Sequence, residues 1–284
     1  ELQNRLGADV RSIQRSALPG QGVSMFINGF NSLNSNAMPL IIVDGVVYDM
    51  MYESENIHNG YFTNLLEAIS VDDVASIEVL KNGTAIYGSK AANGVILINT
   101  KRSTSMATRI DVNIHAGVEL RPQTPEMMDA EQYRGYAAGL LKGNTSGLTD
   151  FKFLNTDPNY YYYNMYHNNT DWYKKVTREA FNQNYSIGIM GGDDVAAYNL
   201  SVGYLNSKST LKMNDMQRFN IRFNADINFN KWFTTQFDAS YTNVTRDLRD
   251  DGLTDDYSSI AISSPGFLAL AKAPFLSPYD FSTD

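Results

Sequence analysis

Among the side chains best suited to chemistry in this 284-residue chain are the carboxylate pairs Asp72-Asp73, Asp193-Asp194 and Asp250-Asp251. Two carboxyls could act as acid and base on a glycosidic bond if held about 5 to 9.5 Å apart. All three pairs fall among turn residues or at the ends of extended runs, so solvated charge is the simpler expectation. The run RDDGLTDDY gathers Asp250, Asp251, Asp255 and Asp256 as oxygen donors for calcium, but without EF-hand spacing. The histidines His58, His115 and His167 are scattered and never reach an HxxxH spacing. Cysteine is absent, which excludes disulfides and thiolate zinc sites. The expectation is therefore no catalytic residue, no metal and no cofactor. One aromatic run stands out: NYYYYNMY brings together Tyr160, Tyr161, Tyr162 and Tyr163. Their rings could stack on sugars, enclose peptide side chains, or pack against their own loop.

The stretch YGSKAANGVILINTK, residues 87–101, is rich in small residues but contains neither GxxxxGK[ST] nor GxGxxG, so it is no phosphate cradle. Its composition suits a sharp turn feeding a strand. Gly88 and Gly94 permit positive φ, Ala91 and Ala92 allow close packing, and Tyr87 offers one large anchor.

Bulk properties narrow the class. With 23 basic and 31 acidic side chains the net charge is −8, which argues against nucleic acid as a partner. The first residues, ELQNRLGADVRS, have no basic and apolar signal regions. No run approaches the roughly 18 apolar residues of a spanning helix. Only a closed β-barrel could then cross a membrane, because a backbone in lipid must satisfy its own hydrogen bonds. Eighteen tyrosines and fourteen phenylalanines favour extended chain.

The elements that position these residues come in two styles. Residues 1–105 read as short strands and turns in a compact mixed α/β unit. VSMFING is a strand, and PLIIVDGVVYD is a hairpin turning at Asp44-Gly45. Ser70 or Asp72 could cap a single helical turn before the strand ASIEVLK. Asn82-Gly83 turns the chain, and GVILINTK is apolar on both faces, so it belongs at the centre of a covered sheet.

Residues 106–284 change to long alternating strands. RIDVNIHAGVEL sets Ile110, Val112, Ile114, Ala116 and Val118 against Asp111, Asn113, His115, Gly117 and Glu119. RFNIRFNADINFN alternates Phe219, Ile221, Phe223, Ala225, Ile227 and Phe229 with Asn220, Arg222, Asn224, Asp226 and Asn228. That period of two marks a strand with one dry and one wet face. AYNLSVGYLN and KWFTTQFDASYTN repeat the scheme, and QNYSIGIMGG is a shorter version. The first connection, 121–182, is long and holds a helix, PEMMDAEQYRGYAAGLLKG, with Pro125 in its first turn and Gly143 at its C-cap. GGDDVA and FNKW are short, whereas the connections between them and beyond are longer. Unequal connections are expected of outer-membrane barrels. Soluble sandwiches also alternate, but these strands are long enough to cross a tilted bilayer and their wet faces carry Asn, Ser and Thr rather than Lys and Glu.

The succession FINGFNSLN, PLIIVDGVVYD and DDVASIEVLKNGTAIYGSKAANGVILINTK resembles the plug domain of SusC/RagA-type TonB-dependent outer-membrane transporters. NTDWYKK, NYSIGIMGG, AAYNLSVGYLNSKS, QRFNIRFNADINFNKW and FDASYTN resemble the first barrel strands of the same family, in the same order. There are departures. Asn28 and Lys90 stand where the family commonly has arginine, and the segment between Lys81 and Ala85 is a few residues shorter. Lysine and asparagine do not reproduce the bidentate geometry of arginine.

The resemblance implies an α+β plug domain over 1–105, followed over 106–284 by the first antiparallel transmembrane strands of a plugged β-barrel. In that picture 121–182 is the first extracellular loop. About five strands are visible of the roughly 22 such a barrel needs, so the expectation is the N-terminal part of a larger protein, with the TonB-contacting segment lying ahead of the plug. Asp44, Gly45, Tyr87, Gly88, Ser89, Asn93 and Gly94 are its architectural plug signature. The implied activity is import of an oligosaccharide or oligopeptide across the outer membrane of a Gram-negative bacterium. The implied partners are TonB, a SusD-like surface lipoprotein and the lipid bilayer, and the energy comes through TonB from the inner-membrane proton gradient. A non-transporting surface or carbohydrate-binding β-module is the alternative from a different class.

Overall fold

A computed structural model describes residues 10–14, 19–20, 22–27, 29–32, 37–48, 65–103, 107–141, 151–249 and 264–279. The chain forms two compact units. One comprises 1–118, 181–209 and 213–248; the other comprises 119–180, 210–212 and 249–284.

In the first unit, β1 (Val10–Gln14) and β2 (Val23–Ile27) form an antiparallel pair. A separate four-stranded sheet contains β3 (Leu40–Val43), β4 (Val46–Tyr48), β5 (Val74–Leu80) and β6 (Val95–Thr100) in the order β4-β3-β6-β5. β6 runs parallel to β3 and antiparallel to β5. Between β3 and β4, Asp44 and Gly45 adopt φ of 49° and 82°, the consecutive left-handed pair that a two-residue hairpin turn needs.

β6 is central, as its unbroken apolar run predicts, because each of its faces is covered. Ile96 and Ile98 pack with Ile41, Val43 and Ile69 and with Val10, Met25 and Ile27 of the β1–β2 pair. Val95, pointing the other way, packs with Ile42 and Ala91. Each such buried aliphatic side chain contributes roughly 1.5–3 kcal/mol.

Two local expectations gain detail. Asn82-Gly83 leads the chain from β5 into the one-turn helix α1 (Thr84–Tyr87), with Gly83 at its N-cap and φ −102°. Glycine is needed there for space, since a Cβ would lie 2.3 Å from Val95 Cγ2. Ser70 does precede a 3-10 turn over Val71–Asp73, but its side chain makes no capping bond.

The second sheet of this unit is a meander: β7 (Arg109–Glu119), β8 (Ala180–Gly192), β9 (Ala196–Lys208), β10 (Asp215–Asn230) and β11 (Phe233–Asp247), each beside its neighbour in sequence. β8 reaches 13 residues, longer than its motif suggested, and β10 reaches 16. The β9–β10 connection shrinks to 209–214 because both strands continue into it. Lys231-Trp232 is the tight turn expected between β10 and β11.

In the second unit, α2 (Ala130–Leu141) starts five residues later than Pro125 suggested. The reason is a capping box: Gln132 N–H donates to Asp129 Oδ1 at 2.8 Å and Asp129 N–H to Gln132 Oε1 at 3.1 Å. Gly143 lies outside the described residues. α3 (Tyr163–Tyr166), α4 (Trp172–Val176) and α5 (Pro265–Ala271) follow. Backbone bonds from Asn168 to Phe275 and from Thr170 to Pro274 join the α3–α4 segment to the chain after α5. Phe275 is buried, stacked on Phe153 at 4.8 Å with Tyr133 edge-on at 5.7 Å, so this unit has its own aromatic core.

Candidate functional site

The meander is inside out by the standards of a soluble protein. On β10, Asn220 and Asn224 are 3% and 1% exposed, whereas Phe219 and Phe229 are 39% and 62% exposed. Exposed large apolar side chains include Phe237 and Tyr241 on β11, Val202 and Tyr204 on β9, and Ile110, Val112 and Ile114 on β7. Soluble sheets bury the apolar face and wet the polar one. On β9 and β10 the polar face is covered because it grips the N-terminal sheet.

Three patches of that sheet and its flanks meet the meander. At the hairpin tip, Asp44 Oδ1 accepts from Thr100 N–H and its Oδ2 from Thr100 Oγ1–H, both at 2.8 Å, and Arg222 of β10 reaches Oδ2 at 3.3 Å. Asp73 also faces Arg222, 3.9 Å from Nε, and accepts from Asn220 Nδ2 at 3.4 Å. In the turn Leu65–Ala68, Arg218 donates to the carbonyls of Glu67 and Ile69, Thr242 Oγ1 donates to the carbonyl of Ala68, and Arg246 pairs with the Glu67 carboxylate at 2.6 Å. Past the end of β6, Asn224 Nδ2 donates to Thr100 Oγ1 and, with Asn199 Nδ2, to the Lys101 carbonyl. Arg102 then bridges Asp226 of β10 and Asp238 of β11.

This grip joins residues on both sides of position 105 in one compact unit, through side chains of β9, β10 and β11. It also accounts for one correction: the Asp72-Asp73 pair is not solvated, since Asp73 is 5% exposed and Asp72 accepts from Asn184. Asp193-Asp194 is exposed as expected, and Asp193 closes the β8–β9 turn. The Ala196 and Val195 N–H groups bonded to its carboxylate hold its pKa below the usual range.

The glycine-rich signature forms one turn. Tyr87 packs beside Ala91 and Val95, Gly88 has φ 70°, and Gly94 has φ 89° with Ile27 Cδ1 filling the space of a Cβ at 2.8 Å. Ser89 opens a 3-10 turn, and Asn93 accepts from Asn31 and donates to the Met38 carbonyl. Asp44 and Gly45 belong to the other end of β6: Gly94 O bonds Leu40 N–H, whereas Ile98 O bonds Asp44 N–H. The structure therefore splits the signature between the two ends of one strand. Lys90 is exposed, and Asn28 lies outside the described residues.

Tyr160, Tyr161, Tyr162 and Tyr163 turn largely on one another and on their own loop. Tyr162 meets Tyr161 and Tyr160 edge-on, with Lys152 Nζ 4.1 Å from its ring. Tyr163 stacks on His167 at 3.9 Å, and only Tyr161 is strongly exposed. Asp250, Asp251, Asp255 and Asp256, with His58, lie outside the described residues. Sequence reasoning missed the arginines of the grip. The available signal was Arg218 and Arg222, four apart on an otherwise asparagine-rich face.

Comparison with known proteins agrees with this geometry. The family model for the TonB-dependent receptor plug domain matches residues 2–95. The chain is 29% identical to TonB-dependent receptor SusC of Bacteroides thetaiotaomicron over 225 residues, 78% of this chain and 20% of SusC. It is 28% identical to TonB-dependent receptor P26 of Formosa agariphila over 86% of its length, 23% of that receptor. The RagAB peptide transporter superposes with TM-score 0.74 at 22% identity, covering 96% of this chain and 31% of the matched one. The chain is similar to the SusC-like TonB-dependent receptors and carries their plug domain over residues 2–95. It spans about a fifth of the length of the curated relatives it matches. In these receptor terms the N-terminal sheet is a plug, the meander is the first arc of barrel wall, and the buried polar face is the side turned to the plug.

Proposed function

We propose that this chain supplies the plug and first wall strands of an outer-membrane importer for an oligosaccharide or oligopeptide. The observation that carries this reading is the exposed face of the meander. Tyr185 pairs in register with Tyr204 and Tyr204 with Phe219, an aromatic row across three strands. A second group, Phe229, Trp232 and Phe233, surrounds the β10–β11 turn, with Phe229 and Phe233 rings 5.4 Å apart. From residue 219 to 229 a strand advances ~33 Å, and at a tilt of about 40° the rows stand ~25 Å apart along the normal. That is the height of the apolar band of an outer-membrane barrel, with Val202, Leu200, Ile221 and Phe223 between its aromatic girdles.

The polar seam supports transport over mere anchoring. The plug keeps its own apolar core, while its hold on the wall is made of hydrogen bonds and ion pairs. Buried ion pairs add little net stability because desolvation offsets attraction. Moving the plug thus exposes Asn, Ser and Arg side chains, a wettable passage lining, and strips no greasy surface. TonB, energised by the inner-membrane proton gradient, performs that movement, and a SusD-like surface lipoprotein delivers the substrate. No catalytic residue or cofactor takes part.

Fractionation with uptake tests the reading. The full-length protein should sediment with outer membranes, require detergent for extraction, and import labelled oligosaccharides or peptides only in cells containing TonB. Recovery in the soluble fraction, as for a carbohydrate-binding surface module, would refute it.

A further inference from the structure

Arg246 is gripped from two sides of the plug. Its guanidinium pairs with Glu67 at 2.6 Å, with both side chains about four-fifths buried. On the other side lies Gly20, in the turn between β1 and β2. Gly20 is buried at φ 82°, and a Cβ placed on it would come within 2.8 Å of both Cδ and Nε of Arg246. The arginine arm therefore occupies the space that the missing side chain leaves. The Nε atom is buried and makes no hydrogen bond, so contact with Gly20 seals it without satisfying it. A buried unpaired donor of this kind gains by reaching water.

We propose that Arg246 is a latch coupling two parts of the plug: as long as the Gly20 turn covers it, it holds the Leu65–Ala68 turn to the wall, and departure of the β1–β2 pair releases that hold. The proposal deepens the transport reading and rests on it. The chain of contacts is short. Gly20 fixes the arginine arm, the arm fixes Glu67, and Glu67 belongs to the turn whose carbonyls also accept from Arg218 and Thr242. Water admitted at Gly20 hydrates the unpaired Nε, frees the arm to leave Glu67, and removes the one ion pair that turn makes among the described residues. The β1–β2 pair is the layer whose removal opens this route, since Val10 and Ile27 tie it to the core while Gly20 lies at its turn.

Residues 1–284 contain no cysteine, so introduced cysteines give a direct test in the full-length protein in outer membranes, with any cysteine outside this span replaced by serine. A single Ala68→Cys reports opening of the turn through its labelling rate with a membrane-impermeant maleimide. Gly20→Asn keeps a residue that tolerates left-handed backbone but intrudes on the arginine arm. In the Ala68→Cys background, Gly20→Asn and Arg246→Gln should each raise labelling roughly tenfold, the scale of one charged hydrogen bond. The double variant should label no faster than either alone, and Arg246→Lys should recover part of the protection. A Val47→Cys reporter in the same backgrounds should keep its rate, showing the plug still folded. Additive effects of Gly20→Asn and Arg246→Gln, or no effect of Gly20→Asn, would overturn the latch. Labelling needs no substrate and no TonB, so its failure is distinct from failure of the import reading.

Discussion

At the scale of single residues, Asp44 combines two functions that composition shows separately. Its φ of 49° makes it a turn residue, which an Asp-Gly pair announces in any sequence. Its carboxylate also joins β6 to the wall through Thr100 and Arg222. The two functions separate by substitution. Asp44→Gly should lose the carboxylate alone, whereas Asp44→Ala should lose about 1 kcal/mol more, from left-handed strain, in plug unfolding followed by denaturant titration. Equal losses would deny the backbone role. Glu67 gives a pH signature. Burial raises its pKa above 4.5, with Arg246 opposing. The folded state then holds a proton the unfolded state has released, so plug stability is greatest below the unfolded pKa and falls as pH rises through the folded one. Glu67→Gln should remove that decline with rising pH. The turn at Asp44 was readable in sequence because it is local chemistry. The partners of Glu67 and Asp73 were not, because they lie 147 to 179 residues away along the chain.

At the scale of elements, periodicity carried the most information. The strict alternation of β10 placed a strand correctly and sorted its faces correctly, and the apolar run of β6 placed it at the centre of a covered sheet. Helix starts were less legible. Pro125 fits a first helical turn, but the Asp129–Gln132 box satisfies two amide donors at once and sets the real beginning of α2. Strand ends were also underestimated, as in β8, because pairing with a neighbour extends a strand beyond its alternating motif. The face assignment yields a sharp contrast between adjacent residues. Phe223, near the middle of β10, belongs to the face turned outward, and Asn224 to the face turned to the plug. Phe223→Arg should impair insertion by about 2–4 kcal/mol, seen as loss of the folded, protease-resistant form in outer membranes. Asn224→Ser should insert normally, with faster exchange of the plug amides around Thr100.

At the scale of the whole molecule, the arrangement consists of a self-sufficient plug core, a polar seam, and an arc of wall with its greasy side outward. Composition concealed that order. A net charge of −8 and 43% hydrophobic residues describe many soluble proteins equally well, and the membrane character emerges only when burial is compared face by face. The seam itself could not be read in the sequence because long-range pairing between Arg222 and Asp44 leaves no local mark. The central claim is that the odd-numbered face of β10 and β11 meets lipid while the even-numbered face meets plug. Single spin labels at Phe219, Asn220, Tyr241 and Thr242 in the full-length protein, reconstituted in bilayers, test it directly. The account predicts high collision with lipid-dissolved oxygen at 219 and 241, and low collision with both oxygen and a water-soluble nickel chelate at 220 and 242. Collision of 219 and 241 with the chelate in place of oxygen would contradict it.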